Sequence, residues 1–351
     1  MMCMILNELT YRIHLSLILI YLRMDEFRDK RPYNMSRRRV CVVGAGVIGL
    51  SSALRVLDVC PDAEVTVVAA KFSPETTTDV SGGFWEPHLL GDTPEADVRR
   101  WSSKTFEHIV RIADSSSARE TGACYVSGYQ LNENPGTQAP FWKDDVLNFR
   151  LLTAQEVKAF PGMGYQSRGG KIQKKHLQRL SDLSVEGYDV IVNCTGIGAR
   201  DLVGDTSLTP YRGQTRAPWQ KHFVICIGQE SLAYILPSMN YVVMGGTEAA
   251  GDWNTAPRES DRQIIWDACT KYVPNMKAAK VLGDHVGLRP GRPSVRLEVE
   301  TLNVGGKQIP VVHNYGHGGG GVTLHWGCAE QAASLVRQAL PVSVSQPTSK
   351  L

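Results

Sequence analysis

Residues 39–50, Arg-Val-Cys-Val-Val-Gly-Ala-Gly-Val-Ile-Gly-Leu, constrain this chain more than any other stretch. The apolar run at 40–43 has the composition of a buried strand and stops at Gly44. Gly44, Gly46 and Gly49 follow with G-x-G-x-x-G spacing, and Val47, Leu50, Leu54 and Leu57 then recur at helical intervals. Strand, glycine turn and helix in succession are the context a dinucleotide-binding turn needs. Gly44 permits the tight turn, Gly46 lets the backbone approach a pyrophosphate, and Gly49 lets the helix lie close to the strand. The free N–H groups and the dipole of the helix start then face the phosphates. The candidates for cofactor binding are thus Gly44, Ala45, Gly46, Val47, Ile48 and Gly49. A second apolar segment, Glu64-Val-Thr-Val-Val-Ala69, follows at the distance a βαβ unit requires. The alternative is a glycine turn with no ligand, and the loop alone does not separate NAD from FAD.

A chain of 351 residues can bury a large core and has room for two domains. The net charge of +3 comes from the first 39 residues, where eight basic side chains face four acidic ones; the remainder carries −1. That balance gives no reason to expect a nucleic-acid partner. The cysteines include no C-x-x-C pair, and Cys41 and Cys194 sit in apolar strand patterns, as buried reduced thiols do. Residues 15–22 are apolar but far short of the ~20 needed to span a bilayer. Residues 1–36 are expected to form a poorly ordered extension. The final Ser349-Lys350-Leu351 reads as a peroxisomal address recognised by an import receptor. The expected location is therefore the peroxisomal matrix.

Further along, Thr76, Thr77 and Thr78 supply hydroxyls at a capped helix start, with Gly82 and Gly83 just beyond. Residues 95–115 read as a helix with Trp101, Phe106, Ile109 and Ile112 on its apolar face. Residues 122–151 alternate like strands, and 152–160 read as a short capped helix. Residues 188–198 form a strand that ends in a glycine turn, as a parallel strand facing a cofactor would. Short strands fill most of 210–285, with a helix at 261–272. A strand at 309–312 leads into Gly318, Gly319, Gly320 and Gly321, a second glycine-rich turn that opens a helix. A flat, electron-accepting ring could lie over that turn, where a helix start stabilises negative charge. A flexible glycine loop is the competing reading.

Together these segments resemble the FAD-dependent D-amino-acid oxidase and D-aspartate oxidase family. The matching pieces, in family order, are Val43-Gly-Ala-Gly-Val-Ile-Gly-Leu-Ser51, Thr76-Thr-Thr-Asp-Val80, Asp189-Val-Ile-Val-Asn-Cys-Thr-Gly196, Arg212-Gly-Gln214, Gly287-Leu-Arg-Pro290, His313-Asn-Tyr-Gly-His-Gly-Gly319 and His325-Trp-Gly327. The resemblance implies an α/β fold in which a Rossmann-like FAD-binding domain (37–90, 170–210 and 283–342) interleaves with a mostly antiparallel α+β substrate domain (91–169 and 211–282). Residues 343–351 are left as a tail. The implied reaction is oxidative deamination. A D-amino acid passes hydride from Cα to the flavin, the imino acid hydrolyses to a 2-oxo acid and ammonia, and oxygen is reduced to hydrogen peroxide.

The resemblance also implies roles. Arg289 pairs with the substrate α-carboxylate, which a planar guanidinium fits. Tyr234 donates to the same carboxylate, the Gly319 carbonyl accepts from the amine, and Glu86 lies at the substrate. The remaining cofactor-binding positions are Lys71, Thr77, Thr78, Gly83, Phe84, Leu177, Thr195, Gly318, Gly321, Val322 and Thr323. His317 and His325 are read as structural hydrogen-bonders, and Arg296 as a packing charge. No metal or membrane contact is expected, and the oligomeric state is left open.

Framework phrases such as Gly245-Gly-Thr247 and Gly251-Asp-Trp-Asn254 lean to the acidic-substrate branch, hence to D-aspartate and D-glutamate; neutral D-amino acids are the alternative. Against that lean, the branch's side-chain arginine after Gly-Gly-Thr is Glu248 here, and a second falls within 224–227. Ala70 stands where an acidic ribose partner is expected. About two dozen family residues have no counterpart near residue 167. A catalytically silent, shortened form is the second alternative.

Overall fold

The computed structural model describes residues 2–6, 38–116, 118–132, 139–147, 149, 171–174, 177, 179–182, 188–213, 222–227, 232–238 and 241–341. In chain order, β1 (Met2–Leu6) precedes β2 (Arg38–Val43), α1 (Val47–Val59), β3 (Ala63–Ala69), α2 (Glu95–Ala113) and β4 (Ala123–Asn132). Then come β5 (Lys171–Lys174), β6 (Val190–Asn193), β7 (Thr209–Gly213), β8 (Phe223–Ile227), β9 (Leu232–Pro237), β10 (Val242–Gly245), β11 (Ala249–Ala250) and α3 (Glu259–Tyr272). The chain closes with β12 (Gly287–Gly291), β13 (Arg296–Val304), β14 (Lys307–Tyr315) and α4 (Gly321–Ala339).

The fold is α/β, and its nucleotide-binding half is Rossmann-like. A six-stranded sheet runs β13-β14-β6-β2-β3-β5. Every neighbouring pair is parallel except β13 with β14. Helices α1 and α4 cover one face, where Leu50, Ala53 and Val56 meet Ala332, Ala333 and Val336 over Val40, Val42, Val65 and Val67. Cys41, Val43, Val68, Ile191 and Val311 face the other way, under Leu180 and Tyr188. Burial on both faces explains why β2 and β3 read as unbroken apolar runs rather than alternating ones.

β2 and β6 end side by side, with Val43 opposite Asn193. Their carboxyl ends open the crevice in which α/β sheets hold ligands. The turn out of β2 depends on Gly44. Its φ is +115°, and a Cβ there would lie 2.3 Å from the Cys194 carbonyl oxygen.

The second sheet, β1-β4-β8-β9-β10, is antiparallel apart from the β4–β8 pair. One side packs on α2 through Trp85, Phe106, Ile109, Phe223 and Leu236. The other packs on α3 through Ile265 and Cys269 against Cys226, Ala233, Ile235 and Met244. A three-stranded ribbon, β11-β7-β12, carries Arg289.

The structure departs from the sequence reading in two places. Residues 1–36 do not lie wholly outside the fold, because Met2–Leu6 pairs with β4 and covers its edge. Strand β13 lies outside the sequence expectations; its pairing with β14 defines it. The helix expected over 152–160 lies outside the described residues.

Candidate active site

A single cavity of about 980 Å³ runs from the Gly44 turn to Arg289. That is the upper end of the range for small-molecule sites. Every residue assigned from the sequence to the cofactor or substrate lines it except Gly49 and Thr323. Gly44, Ala45, Gly46, Val47, Ile48, Lys71, Thr77, Thr78, Leu177 and Thr195 lie along the turn end. Gly83, Phe84, Glu86, Tyr234, Arg289, Gly318, Gly319, Gly321 and Val322 complete the wall.

The two exceptions have structural causes. A Cβ on Gly49 would lie 2.0 Å from the Gly44 carbonyl oxygen, so this glycine serves the packing of α1 on the turn. The Thr323 hydroxyl donates to the Glu86 carbonyl at 2.6 Å and accepts from the Glu86 N–H at 2.9 Å, which commits it to holding residue 86 against α4.

At the turn end, the Thr78 hydroxyl accepts the Val47 N–H at 3.1 Å and keeps its own hydrogen free to donate. Thr76 and Asp79 form a capping box around the short helix Thr77–Val80. The Thr195 hydroxyl donates to Asn193 at 2.7 Å, and Asn193 meets His313 Nδ1 at 3.2 Å. His313 Nε2 lies 2.9 Å from Glu300, so the neutral Nε2–H tautomer satisfies both contacts. Burial lowers the pKa of His313, which favours that neutral ring. Arg296, between Glu298, Glu300 and Tyr315, packs the edge of the sheet and is not in the cavity wall. Ala70 lines the cavity with no carboxylate, but Glu75 and Asp201, which the sequence reading missed, line it too. Neither stands in a recognisable motif, so only the fold brings them there.

At the far end, Arg289 donates to the Thr247 carbonyl at 3.0 Å and to the Tyr234 hydroxyl at 3.2 Å. Burial raises the pKa of Tyr234 and keeps its hydroxyl protonated, with the Arg289 charge opposing. Trp85, fully buried against Phe106 and Trp142, anchors the segment that presents Glu86 and His88. Glu86 is pushed up to about 7 by burial, with His88 opposing. His88 Nε2 lies 2.7 Å from Glu248, and the His88 ring packs over Gly319.

The second glycine turn serves packing as well as any ligand. Gly318 (φ +53°) would place a Cβ 1.8 Å from the Leu89 carbonyl oxygen, and Leu89 itself sits at φ +53°. The 88–90 segment thus presses directly on the turn, while Gly321 stands in open space.

His325 bonds the Val322 carbonyl at 2.7 Å, as a structural histidine would. His317 differs from that reading. Its Nε2 is buried without a partner, as is Oδ1 of Asn314, and both residues line the cavity. Burial holds His317 neutral, with its pKa lowered to about 3. Two orphaned polar atoms in a cavity wall are the mark of a polar ligand held there. Beside them are a glycine turn at a helix start, free N–H groups and an exposed Lys71. This donor set fits a nucleotide pyrophosphate at one end and a polar ring system at the other.

The geometry defines a Rossmann-like dinucleotide-binding protein whose cofactor cavity opens onto the mostly antiparallel second sheet. The chain belongs to the DAO family of FAD dependent oxidoreductases, which it matches over residues 39–170 and 164–335. Its cofactor is FAD. It is 38% identical to human D-aspartate oxidase over 332 positions, covering 87% of this chain and 96% of that protein. It is 36% identical to a D-amino-acid oxidase from Rubrobacter xylanophilus, covering 86% and 97%. In fold it is similar to glycine oxidase from Geobacillus kaustophilus, with a TM-score of 0.59 at 16% identity over 87% of this chain and 97% of that one. The two stretches of the family match meet at 164–170, where the sequence analysis expects residues to be missing.

Proposed function

We propose that this chain oxidises D-amino acids to 2-oxo acids and ammonia, with oxygen as the final acceptor and hydrogen peroxide as a product. One observation carries the reading: Arg289 and Tyr234 are hydrogen-bonded to each other in the wall of the flavin cavity. A guanidinium backed by a carbonyl on one nitrogen presents its remaining donors to a carboxylate. The names of the relatives from human and Rubrobacter support the same class of substrate.

FAD, when bound, supplies the hydride acceptor. The chain's own residues do the rest. Arg289 and Tyr234 hold the α-carboxylate, and the Gly319 carbonyl orients the amine. Phe84, Ile225 and Leu236 line the cavity with apolar surface and keep water from the reacting carbon. No side chain acts as a nucleophile; fixing Cα–H toward the acceptor is the main contribution.

The resemblance and the human relative's name favour an acidic side chain, D-aspartate or D-glutamate. The site's charge does not: Glu248 lies beside Arg289, and Ile225 and Ile227 line the wall where the acidic branch carries a second arginine. The geometry therefore supports a D-amino acid without a side-chain carboxylate. Purified protein should show a flavin absorption band and release peroxide with D-alanine but not L-alanine. Peroxide from neither, with flavin bound, would overturn the proposal.

A shortened form that holds flavin weakly is favoured by Ala70 and by the break in the family match; an absent flavin band would select it. Ser349-Lys350-Leu351 supports import into the peroxisomal matrix, where peroxide would be released. A fluorescent fusion that stays diffuse with that tripeptide intact at its end would reject this location.

A further inference from the structure

A row of polar side chains crosses the nucleotide-binding sheet from solvent to the cavity. Glu300 on β13 stands at the outer end, with about half of its side chain exposed. His313 on β14 and Asn193 on β6 are fully buried and lie opposite each other in the parallel β14–β6 register. Thr195 ends the row in the cavity wall. Donor and acceptor roles are fixed link by link. Arg296 Nη2 donates to Glu300 Oε2 at 2.9 Å, and a guanidinium can only donate, so Oε2 is held as an acceptor. His313 therefore gives its hydrogen from Nε2, at 2.9 Å, which leaves Nδ1 bare. The bare Nδ1 takes an N–H of the Asn193 amide at 3.2 Å. Asn193 Oδ1 is thereby turned to Thr195, where it accepts the hydroxyl at 2.7 Å and the backbone N–H at 3.3 Å. The Thr195 hydroxyl has spent its one hydrogen, and only its lone pairs remain for the cavity.

We propose that Glu300 is a positioning residue for the cofactor: through His313 and Asn193 it sets the Thr195 hydroxyl as an acceptor toward FAD. An acceptor-only hydroxyl suits an O–H donor, a ribityl or ribose hydroxyl of FAD, and not a phosphate oxygen, which only accepts. This holds whichever D-amino acid is oxidised, and rests only on FAD as the occupant of the cavity. A donor in place of the Glu300 carboxylate would reverse every link. The His313 ring would carry its hydrogen on Nδ1, and the Asn193 amide would turn its NH2 group to Thr195. The hydroxyl would then point its own hydrogen at the ligand, and the Thr195 N–H would lose its acceptor. With His313 and Asn193 buried, no water stands in for a mismatched link, so the row switches as a unit.

The test frees the full chain of FAD and titrates it back, following the visible flavin spectrum. Glu300→Lys should weaken FAD binding about tenfold, the size of one hydrogen bond. Glu298→Lys brings the same change of charge beside the same Arg296 but leaves the His313 bond in place, and should cost less than about twofold. Glu300→Gln keeps a carbonyl that accepts from Nε2 and should stay within about threefold of the parent. The decisive measurement is the cycle with Thr195→Val. In that background Glu300→Lys should no longer change FAD affinity, because the hydroxyl it acts through is gone. A loss that persists in Thr195→Val would make Glu300 a structural residue of β13 and overturn the proposal. Equal losses for Glu298→Lys and Glu300→Lys, or no loss for Glu300→Lys, would do the same. Should Glu300→Lys fail to fold, Glu300→Ala enters the same cycle, with about a threefold loss expected in the parent and none in Thr195→Val. No loss, or the same loss in both backgrounds, would again overturn it. A parent chain without measurable FAD binding would remove the proposal along with the site that Glu300 positions.

Discussion

The two ends of the cavity are built differently. The turn end is local: Gly44 to Ile48 are consecutive, and Thr77 and Thr78 lie one βαβ crossover away. Its contacts are largely backbone N–H groups and small hydroxyls. The Arg289 end gathers Glu86 and His88 from a loop, Tyr234 from β9, Arg289 from β12 and Gly319 from the turn before α4, with Glu248 of the β10–β11 connection held behind His88. Apart from the Gly319 carbonyl, its polar groups are side chains, and no two of its charged groups except Glu86 and His88 are near in sequence. A phosphate site tolerates any side chains that leave the backbone free. A site for a small zwitterion depends on each charge.

Substitutions at the two ends should separate these cases. Arg289→Leu removes a charged hydrogen-bonding group facing a buried carboxylate, and should lower kcat/KM by ~3–5 kcal/mol, a hundredfold or more. Flavin content should hold; steady-state kinetics with spectra on the same samples would show it, and an unchanged kcat/KM would refute the role. Gly44→Ala forces a Cβ onto the Cys194 carbonyl at a positive φ, at ~2–4 kcal/mol. It should abolish bound flavin rather than alter substrate preference, and full flavin occupancy would contradict that.

Glu86→Gln tests burial at the substrate end. The folded pKa, about 7, lies above the ordinary 4.5. The folded state therefore holds the proton more tightly, and stability falls as pH rises through that window. Above pH 7 the ionised side chain costs on the order of 3 kcal/mol. Glu86→Gln should thus melt several degrees above the parent protein at pH 8 and alongside it at pH 5. Parallel melting curves at both pH values would show that Glu86 ionises freely. The smallest effect belongs to Thr78→Val, which leaves the Val47 N–H without its acceptor. Flavin affinity should drop by about one hydrogen bond, ~1 kcal/mol, with kcat on saturating FAD preserved. Titration of the apoprotein with FAD measures it.

What was legible from residues alone follows the same division. The βαβ unit, its glycine turn and the Asn193-Cys-Thr-Gly196 strand end were readable because local backbone geometry dictates residue type over a few positions. Parallel strands buried on both faces left the same unbroken apolar runs. Strand β13 and the pairing of β1 with β4 went unread, since pairing partners far along the chain leave no mark on the local pattern of an edge strand.

The sequence by itself determined the cofactor-binding class, the opening βαβ unit and, through the resemblance, the Arg289–Tyr234 pair. Tertiary structure alone decided that Thr323 serves packing, that His317 and Asn314 carry unpartnered atoms in the cavity wall, and that His88 clasps Glu248. The physical reason is range. A turn or a strand is specified by neighbours within a few residues, whereas the charge at the end of a pocket is set by side chains 160 positions apart that meet only when two sheets close over them.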